Sequence, residues 1–91
     1  MKRKRERLEV IRDFLLIIRE HQNSIKPTPL LRRSNLSSQS FSDYFDELQA
    51  KGLIRELVDK NGKKHITLTD KGFRFLERYE MIKGFIDEFE L

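Results

Sequence analysis

Basic side chains that could bind phosphate groups are concentrated in three segments of the sequence. They are Lys2, Arg3, Lys4 and Arg5 near the N-terminus; the pair Arg32 and Arg33; and Lys60, Lys63 and Lys64 around an Asn-Gly dipeptide, where Asn61 and His65 are further candidate DNA contacts. Contacts of this kind give a salt-dependent affinity for nucleic acid that does not depend on base sequence. The pattern therefore indicates a polyanion partner; the alternative is solvated charge that keeps a small protein soluble.

A second group of polar side chains could read the edges of bases. The group is Ser38, Gln39, Ser42 and Asp43, on one face of a predicted helix. Gln can form paired hydrogen bonds with adenine, Ser can donate or accept, and Asp can accept from cytosine. The same helix has no Lys or Arg before Lys51, and Asp43, Asp46 and Glu47 repel phosphates. Two interpretations stay open: few base contacts with the affinity supplied elsewhere, or a face that binds a protein.

Residues suited to catalysis or metal binding are few. The sequence has no Cys, and its two His, His21 and His65, lie far apart without carboxylates at the spacing of a metal site. It has no glycine-rich phosphate loop, dinucleotide fingerprint or nucleophile elbow. We therefore expect no catalytic residues, no metal, no cofactor and no small-molecule ligand, and we do not expect an enzyme.

Length and composition limit the remaining possibilities. The chain has 91 residues and a mass of 11.0 kDa, which predicts a single domain over residues 1–91. The net charge is +4, and residues 1–33 carry ten basic and four acidic side chains. No apolar run approaches the ~20 residues that span a bilayer, and the N-terminus lacks the pattern of a signal peptide. We expect a cytoplasmic, nucleoid-associated protein without membrane contact.

The first half of the sequence predicts two helices and a short strand. Apolar residues recur at helical spacing over Arg5–His21, in a stripe wide enough for packing on two sides or for a dimer interface. Residues 24–26 are predicted as an isolated strand. Thr28 and Pro29 have the character of an N-cap and a first helical residue, which predicts a short helix over Pro29–Arg33.

The next elements are a longer helix and a hairpin. Ser37 is the predicted N-cap of a helix over Ser38–Lys51, and Gly52 is its predicted terminating glycine. The β-prone runs 53–58 and 65–68 flank Asn61-Gly62, which predicts a two-stranded hairpin with a basic tip.

The last predicted helix begins after the N-cap Thr69 and continues to about Glu88. A heptad pattern of apolar residues predicts a dimerisation helix over residues 70–89. The predicted interface is formed by Phe75, Tyr79, Ile82, Ile86 and Phe89. Leu76 and Phe85 lie beside this stripe and are expected to face the core of the domain.

The order of the elements predicts an α+β fold that is mainly α: a winged helix-turn-helix with a two-stranded β-hairpin wing and a long C-terminal helix. In this arrangement three helices pack around a small core, which the hairpin closes through Ile54 and Ile66 or Leu68. The predicted helical core residues are Leu30, Leu36, Phe41, Phe45 and Leu48.

Four blocks of the sequence resemble the small archaeal winged-helix regulators, over about residues 8–89. The blocks are Lys26-Pro27-Thr28-x-Leu30; Ser34-Asn35-Leu36-Ser37; Tyr44-x-x-x-Leu48-x-x-Lys51-Gly52-Leu53-Ile54; and Thr67-Leu68-Thr69-x-Lys71-Gly72-x-x-Phe75-Leu76-x-x-Tyr79. The last block is shared by many winged-helix families, and its combination with the Ser-Asn-Leu-Ser block is more specific. The resemblance implies a homodimer in which the C-terminal helices form an antiparallel coiled coil.

These observations lead to the hypothesis of a homodimeric protein that binds double-stranded DNA, a transcriptional regulator. The helix over Ser38–Lys51 enters the major groove, the basic wing contacts the backbone, and residues 1–5 form a basic arm. One alternative is a winged-helix module for protein–protein interaction. The other is a chromatin or architectural protein, for which the ratio of affinity for a specific site to affinity for random duplex would be near one. For a regulator the same ratio would be ~10³ or more.

Overall fold

The computed structural model describes residues 6–91, which form four helices and a two-stranded sheet. The elements are α1 (Arg7–Glu20), α2 (Pro27–Ser34), α3 (Ser38–Ala50), β1 (Ile54–Val58), β2 (Lys64–Leu68) and α4 (Asp70–Glu88). Each predicted helix and strand agrees with its observed counterpart to within two residues at either end. The basic arm predicted for residues 1–5 lies outside the described residues.

Helix α2 begins two residues earlier than predicted, at Pro27 rather than Pro29. The N-cap is Lys26, in an extended conformation and without a side-chain cap, so the prediction that Thr28 caps this helix was wrong. The physical reason is that Pro27 has no N–H to satisfy and its φ already suits the first helical turn. The helix ends before Asn35, which adopts the left-handed conformation at φ 59°.

A short turn joins α2 to α3, and two serines stabilise it. Ser34 is buried, and its hydroxyl donates to the Leu31 carbonyl (2.8 Å) and accepts from the N–H of Leu36 (3.3 Å). Ser37 caps α3 as predicted, because its hydroxyl accepts from the N–H of Ser40 (3.1 Å). These contacts fix the direction in which α3 leaves the turn.

The two strands pair antiparallel, with Ile54 opposite Leu68 and Val58 opposite Lys64. The predicted isolated strand is present as a bridge in which Ile25 pairs with Ile66. The amide oxygen of Asn23 accepts from the N–H of Leu68 at 2.7 Å, a contact that the sequence did not predict. The sheet is thereby attached to the segment that follows α1.

The core forms around α1, whose Phe14, Leu15 and Ile18 are at most 1% exposed. The hairpin closes this core through Ile54, Ile66 and Leu68, as predicted. Of the predicted helical core residues, Leu30 and Leu48 are fully buried, whereas Leu36, Phe41 and Phe45 are half-buried and pack against the cluster.

A set of close contacts fixes α4 to the end of α3 and the start of β1. The Thr69 hydroxyl accepts from the N–H of Gly72 (3.1 Å) and donates to the Gly52 carbonyl (2.5 Å). The Lys71 ammonium donates to the carbonyl of Lys51, the C-cap of α3, at 2.8 Å. A Cβ at Gly72 would lie 2.3 Å from the Leu53 carbonyl oxygen, so only glycine allows this approach.

The second half of α4 extends away from the core. Leu76 is buried as predicted, but Phe85 is 56% exposed, so the expectation that it faces the core was wrong. The reason is that the contacts anchoring α4 involve its first turns, and the helix then continues past the domain. Among the described helices, none combines the length and apolar character required to cross a membrane. The fold is the predicted winged helix-turn-helix, mainly α.

Candidate nucleic-acid interface

The predicted base-reading side chains lie together on the exposed face of α3. Ser38, Gln39, Ser42 and Asp43 are all exposed, while the buried Leu48 marks the opposite side of the helix. The Gln39 amide donates to the Asp43 carboxylate at 3.0 Å. This hydrogen bond leaves the amide oxygen of Gln39 and one further N–H available to a ligand.

The acidic charge of α3 is partly neutralised by one basic side chain from α1 and one from the end of α3 itself. Glu47 forms an ion pair with Arg7 of α1 and a second one with Lys51 at 3.0 Å. The Arg7 guanidinium also lies 5.9 Å from the centre of the Tyr44 ring. Asp43 and Asp46 remain as exposed acidic side chains on this helix.

Arg7 is a residue of this surface that sequence reasoning missed. It is separated from Glu47 by 40 positions, so helical spacing gave no sign of the contact. Its position also shows that α1 begins beside α3. The chain therefore enters the described fold next to the exposed polar face of α3, and residues 2–5 immediately precede this point in sequence.

The tip of the hairpin carries the predicted phosphate-contacting residues on an exposed turn. Lys60, Asn61, Lys63 and Lys64 are exposed, and Gly62 provides the left-handed residue of the turn at φ 80°. Lys64 lies 3.8 Å from Glu56 across the strands, whereas Lys60 and Lys63 project from the turn.

His65, predicted as a DNA contact, is half-buried against two polar neighbours. Its Nε2 lies 3.1 Å from the Asp59 carboxylate, and its Nδ1 lies 3.4 Å from the Ser24 hydroxyl. A neutral ring with its proton on Nε2 satisfies both contacts. The structure therefore places His65 between the wing and the segment after α1 rather than at the outer tip.

The pKa of Asp59 is lowered from its ordinary value, mainly because the N–H of Lys63 donates to the carboxylate. Hydrogen bonds from His65 and Asn61 act in the same direction. The charged carboxylate is thus favoured in the folded protein. Its contribution to stability is present at neutral pH and is lost as the pH falls through the lowered pKa.

Arg32 and Arg33 are exposed in the last turn of α2, directly before the turn that leads to α3. The structure therefore brings three groups to the surface: the polar face of α3, the arginine pair and the wing tip. Within the described residues, no group of three or more His, Cys, Asp or Glu side chains is arranged to hold a metal ion.

The predicted dimer residues divide into two sets. Phe75 and Tyr79 are half-buried within the protomer, and the Arg12 guanidinium lies 5.4 Å from the centre of the Tyr79 ring. Ile82, Ile86 and Phe89 are 59%, 40% and 57% exposed. Met81 and Phe85 are exposed beside them, and the sequence prediction had not included either in the interface.

Comparisons with known proteins agree with this architecture. A family model described as winged helix-turn-helix matches residues 4–86. A mutant of MepR from Staphylococcus aureus superposes with a TM-score of 0.77 at 21% identity, over 87% of this chain and 60% of that chain. Sso10a-2, a DNA-binding protein from Sulfolobus solfataricus, superposes with a TM-score of 0.75 at 17% identity, over 94% of this chain and 86% of that chain.

MepR has also been solved in complex with DNA, and that structure has a TM-score of 0.69 at 21% identity, over 87% of this chain and 64% of that chain. At these identities the likeness establishes the shared fold. This chain spans only about three fifths of the length of MepR. No match is found among curated protein sequences. The matched family consists of DNA-binding and regulatory domains rather than enzymes, and because its model covers most of the sequence, the chain belongs to the winged helix-turn-helix family.

Proposed function

We propose that this protein binds double-stranded DNA as a homodimer and acts as a transcriptional regulator. The observation that carries the proposal is the exposed polar face of α3, which stands clear of the core in a fold that also exposes a basic wing tip. An α-helix with such a face fits the major groove, where Gln39, Ser42 and Asp43 would meet base edges. Lys60 and Lys63 would contact phosphates.

The pairing of Glu47 with Arg7 and Lys51 supports this proposal. The sequence alone placed three carboxylates on α3, and their repulsion of phosphate was the main argument for a protein partner. With Glu47 neutralised, Asp43 and Asp46 remain, and an exposed Asp can accept a hydrogen bond from cytosine. MepR, which shares the fold, has been solved with DNA.

The exposed half of α4 supports the proposed homodimer. Ile82, Phe85, Ile86 and Phe89 share a helical face that this protomer leaves uncovered. A contiguous apolar face of this kind is typical of an interaction surface, and a second copy of the same helix is complementary to it.

Charge along α4 favours an antiparallel arrangement of the two copies. Toward the N-terminal end of α4 the same face carries Arg74 and Arg78, whereas Glu88 and Glu90 flank it at the C-terminal end. Antiparallel pairing places the basic end of one helix beside the acidic end of the other. Parallel pairing would place like charges together, which is unfavourable.

The proposal is tested by titrating duplex DNA at two salt concentrations with the parent and a Lys60→Ala/Lys63→Ala variant. The parent should bind with an affinity that falls as salt rises. The variant should bind more weakly and show a smaller salt slope, by about 0.9 for each phosphate that it no longer neutralises. Arg19→Ala/Lys83→Ala is the matched control, because it removes two exposed cations outside the proposed interface.

The control should retain most of the parent's affinity, and equal losses in the two variants would show that only net charge matters. Absence of DNA binding by the parent at low salt would overturn the proposal. That result would favour the second candidate function, a module that binds a basic protein through the exposed Asp43 and Asp46. Equal affinity for all duplexes would instead support an architectural role.

A further inference from the structure

A carboxylate stands among the cations of the wing tip. Asp59 directly follows β1, is exposed, and is next in sequence to Lys60. By charge alone, a carboxylate at this place weakens the attraction between the wing and a phosphate backbone. Its hydrogen bonds, however, also order the turn that carries these lysines.

One oxygen of Asp59 organises the whole turn. Its Oδ1 accepts from the backbone N–H groups of Asn61 (2.8 Å) and Lys63 (2.9 Å). The backbone of Asp59 closes the same turn, since its N–H donates to the Lys63 carbonyl (2.9 Å) and its carbonyl accepts from the N–H of Gly62 (3.0 Å). Four hydrogen bonds from one residue thus define the shape of the tip.

The other oxygen of Asp59 connects the tip to the rest of the fold. Its Oδ2 lies 3.1 Å from His65 Nε2, and the same ring lies 3.4 Å from the hydroxyl of Ser24. Ser24 is next to Ile25, which is fully buried and pairs with Ile66. The turn is therefore held both internally and against the segment that follows α1.

We propose that Asp59 is a positioning residue that presents Lys60 and Lys63 to the phosphate backbone. The proposal rests on the proposed DNA-binding function. A lysine on an ordered turn loses less conformational entropy on binding than one on a mobile turn, and this pre-organisation increases affinity. Removal of Asp59 therefore weakens DNA binding, although it raises the net charge of the protein by one.

The test compares Asp59→Ala, Asp59→Asn and the parent in the same duplex titration. Asp59→Ala loses every side-chain hydrogen bond, and its DNA affinity should fall about three- to tenfold, the cost of ordering one or two long side chains. Asp59→Asn keeps an oxygen that can accept both N–H bonds and loses the negative charge, so it should bind at least as tightly as the parent. Glu77→Ala, an exposed acid on α4, controls for net charge.

An Asp59→Ala variant that binds DNA as tightly as the parent, or more tightly, would overturn the proposal and leave Asp59 as a simple repulsive charge. A loss in both Asp59 variants would also overturn it, because the retained turn of Asp59→Asn should preserve binding. Thermal unfolding of each variant shows whether the domain remains folded. We expect that it does, because the buried residues of the hairpin are unchanged.

A measurement without DNA separates this inference from the proposed function. Hydrogen exchange of the Asn61 and Lys63 amides should be slow in the parent and in Asp59→Asn and faster in Asp59→Ala. Equal exchange in all three would overturn the positioning role even if the parent binds DNA. The remaining outcome is slow exchange in the parent, faster exchange in Asp59→Ala, and no DNA binding by the parent. That result would overturn the proposed function and show that Asp59 orders the turn for another purpose.

Discussion

At the scale of single residues, Gly72 is the one of the four glycines at which an added Cβ would meet another atom within 4 Å. It lies where the first turn of α4 passes the Leu53 carbonyl, and an added Cβ would stand 2.3 Å from that oxygen. Backbone atoms cannot move aside as a flexible side chain can. The close approach also brings Thr69 and Lys71 within hydrogen-bonding distance of the Gly52 and Lys51 carbonyls.

Replacement of Gly72 by Ala should therefore lower the free energy of unfolding by about 1–3 kcal/mol, the usual cost of overpacking. The matched control is Gly84→Ala in the same helix, where an added Cβ meets nothing within 4 Å. That control should raise stability by roughly 0.5–1 kcal/mol, because alanine is the better helix former. Urea unfolding of both variants measures the difference, and a Gly72→Ala protein as stable as the parent would contradict the close approach.

The blocks that carried the family resemblance have a structural explanation at this scale. Lys51-Gly52-Leu53 and Thr69-x-Lys71-Gly72 contact one another at the junction of α3, β1 and α4. The sequence presented them as signatures of a family and could not show that they bind each other. Asn23 and Arg7 went unpredicted for a related reason, since their partners lie 45 and 40 positions away.

At the scale of elements, the starts of the two helices with side-chain caps were predicted to the residue, whereas the start of α2 was two residues off. Ser37 and Thr69 cap α3 and α4 through their own side chains, so sequence and structure agree. The start of α2 depended on a choice between Pro27 and Pro29, and both prolines suit a first turn. Periodicity identified the exposed stripe of α4 but assigned Phe85 to the core, because it does not show where the domain ends.

The exposed half of α4 predicts the behaviour of a variant with charges on its apolar face. Ile82→Glu/Ile86→Glu should convert the proposed dimer to a monomer, because two carboxylates in an apolar interface lose hydration without a partner. Light scattering measures the mass in solution. Since both side chains are exposed in the protomer, the thermal stability of the isolated fold should change little.

The control for this variant is Gly84→Glu, which adds a charge to the same helix away from the Ile82 and Ile86 face. It should remain dimeric. A dimeric Ile82→Glu/Ile86→Glu protein would mean that the copies associate through a different surface, and exposed Leu8 of α1 is the next residue to substitute.

At the scale of the whole molecule, the net charge has an uneven origin. The sequence has 19 basic and 15 acidic residues, and Lys2, Arg3, Lys4 and Arg5 account for the entire excess. Residues 6–91 are therefore neutral as a set, and attraction of the folded part to DNA depends on how its charges are distributed. The sequence alone shows that the excess of basic residues is confined to residues 2–5, but it does not show that α1 begins beside α3.

Deletion of residues 2–5 should weaken DNA binding most at low salt and reduce the slope of log affinity against log salt by up to about 0.9 for each phosphate that the arm neutralises. The melting temperature should stay the same, because the core begins at Val10. A charge-neutral replacement of the four residues by Gln separates charge from length. An unchanged salt slope would show that the arm does not bind phosphate.

The absence of a linker between the wing and α4 has a mechanical consequence. Thr69 directly follows β2 and also caps α4, and its N–H donates to the Leu53 carbonyl at 3.1 Å. The sheet and α4 are therefore joined through a single residue whose backbone and side chain are both hydrogen-bonded. In the proposed dimer, the length of α4 between the domain and the contact with the second copy sets the distance between the two α3 helices. One inserted residue lengthens each copy of α4 by about 1.5 Å and rotates the attached domain by about 100°. Small changes in the length of α4 would therefore change which face of the duplex each α3 helix meets.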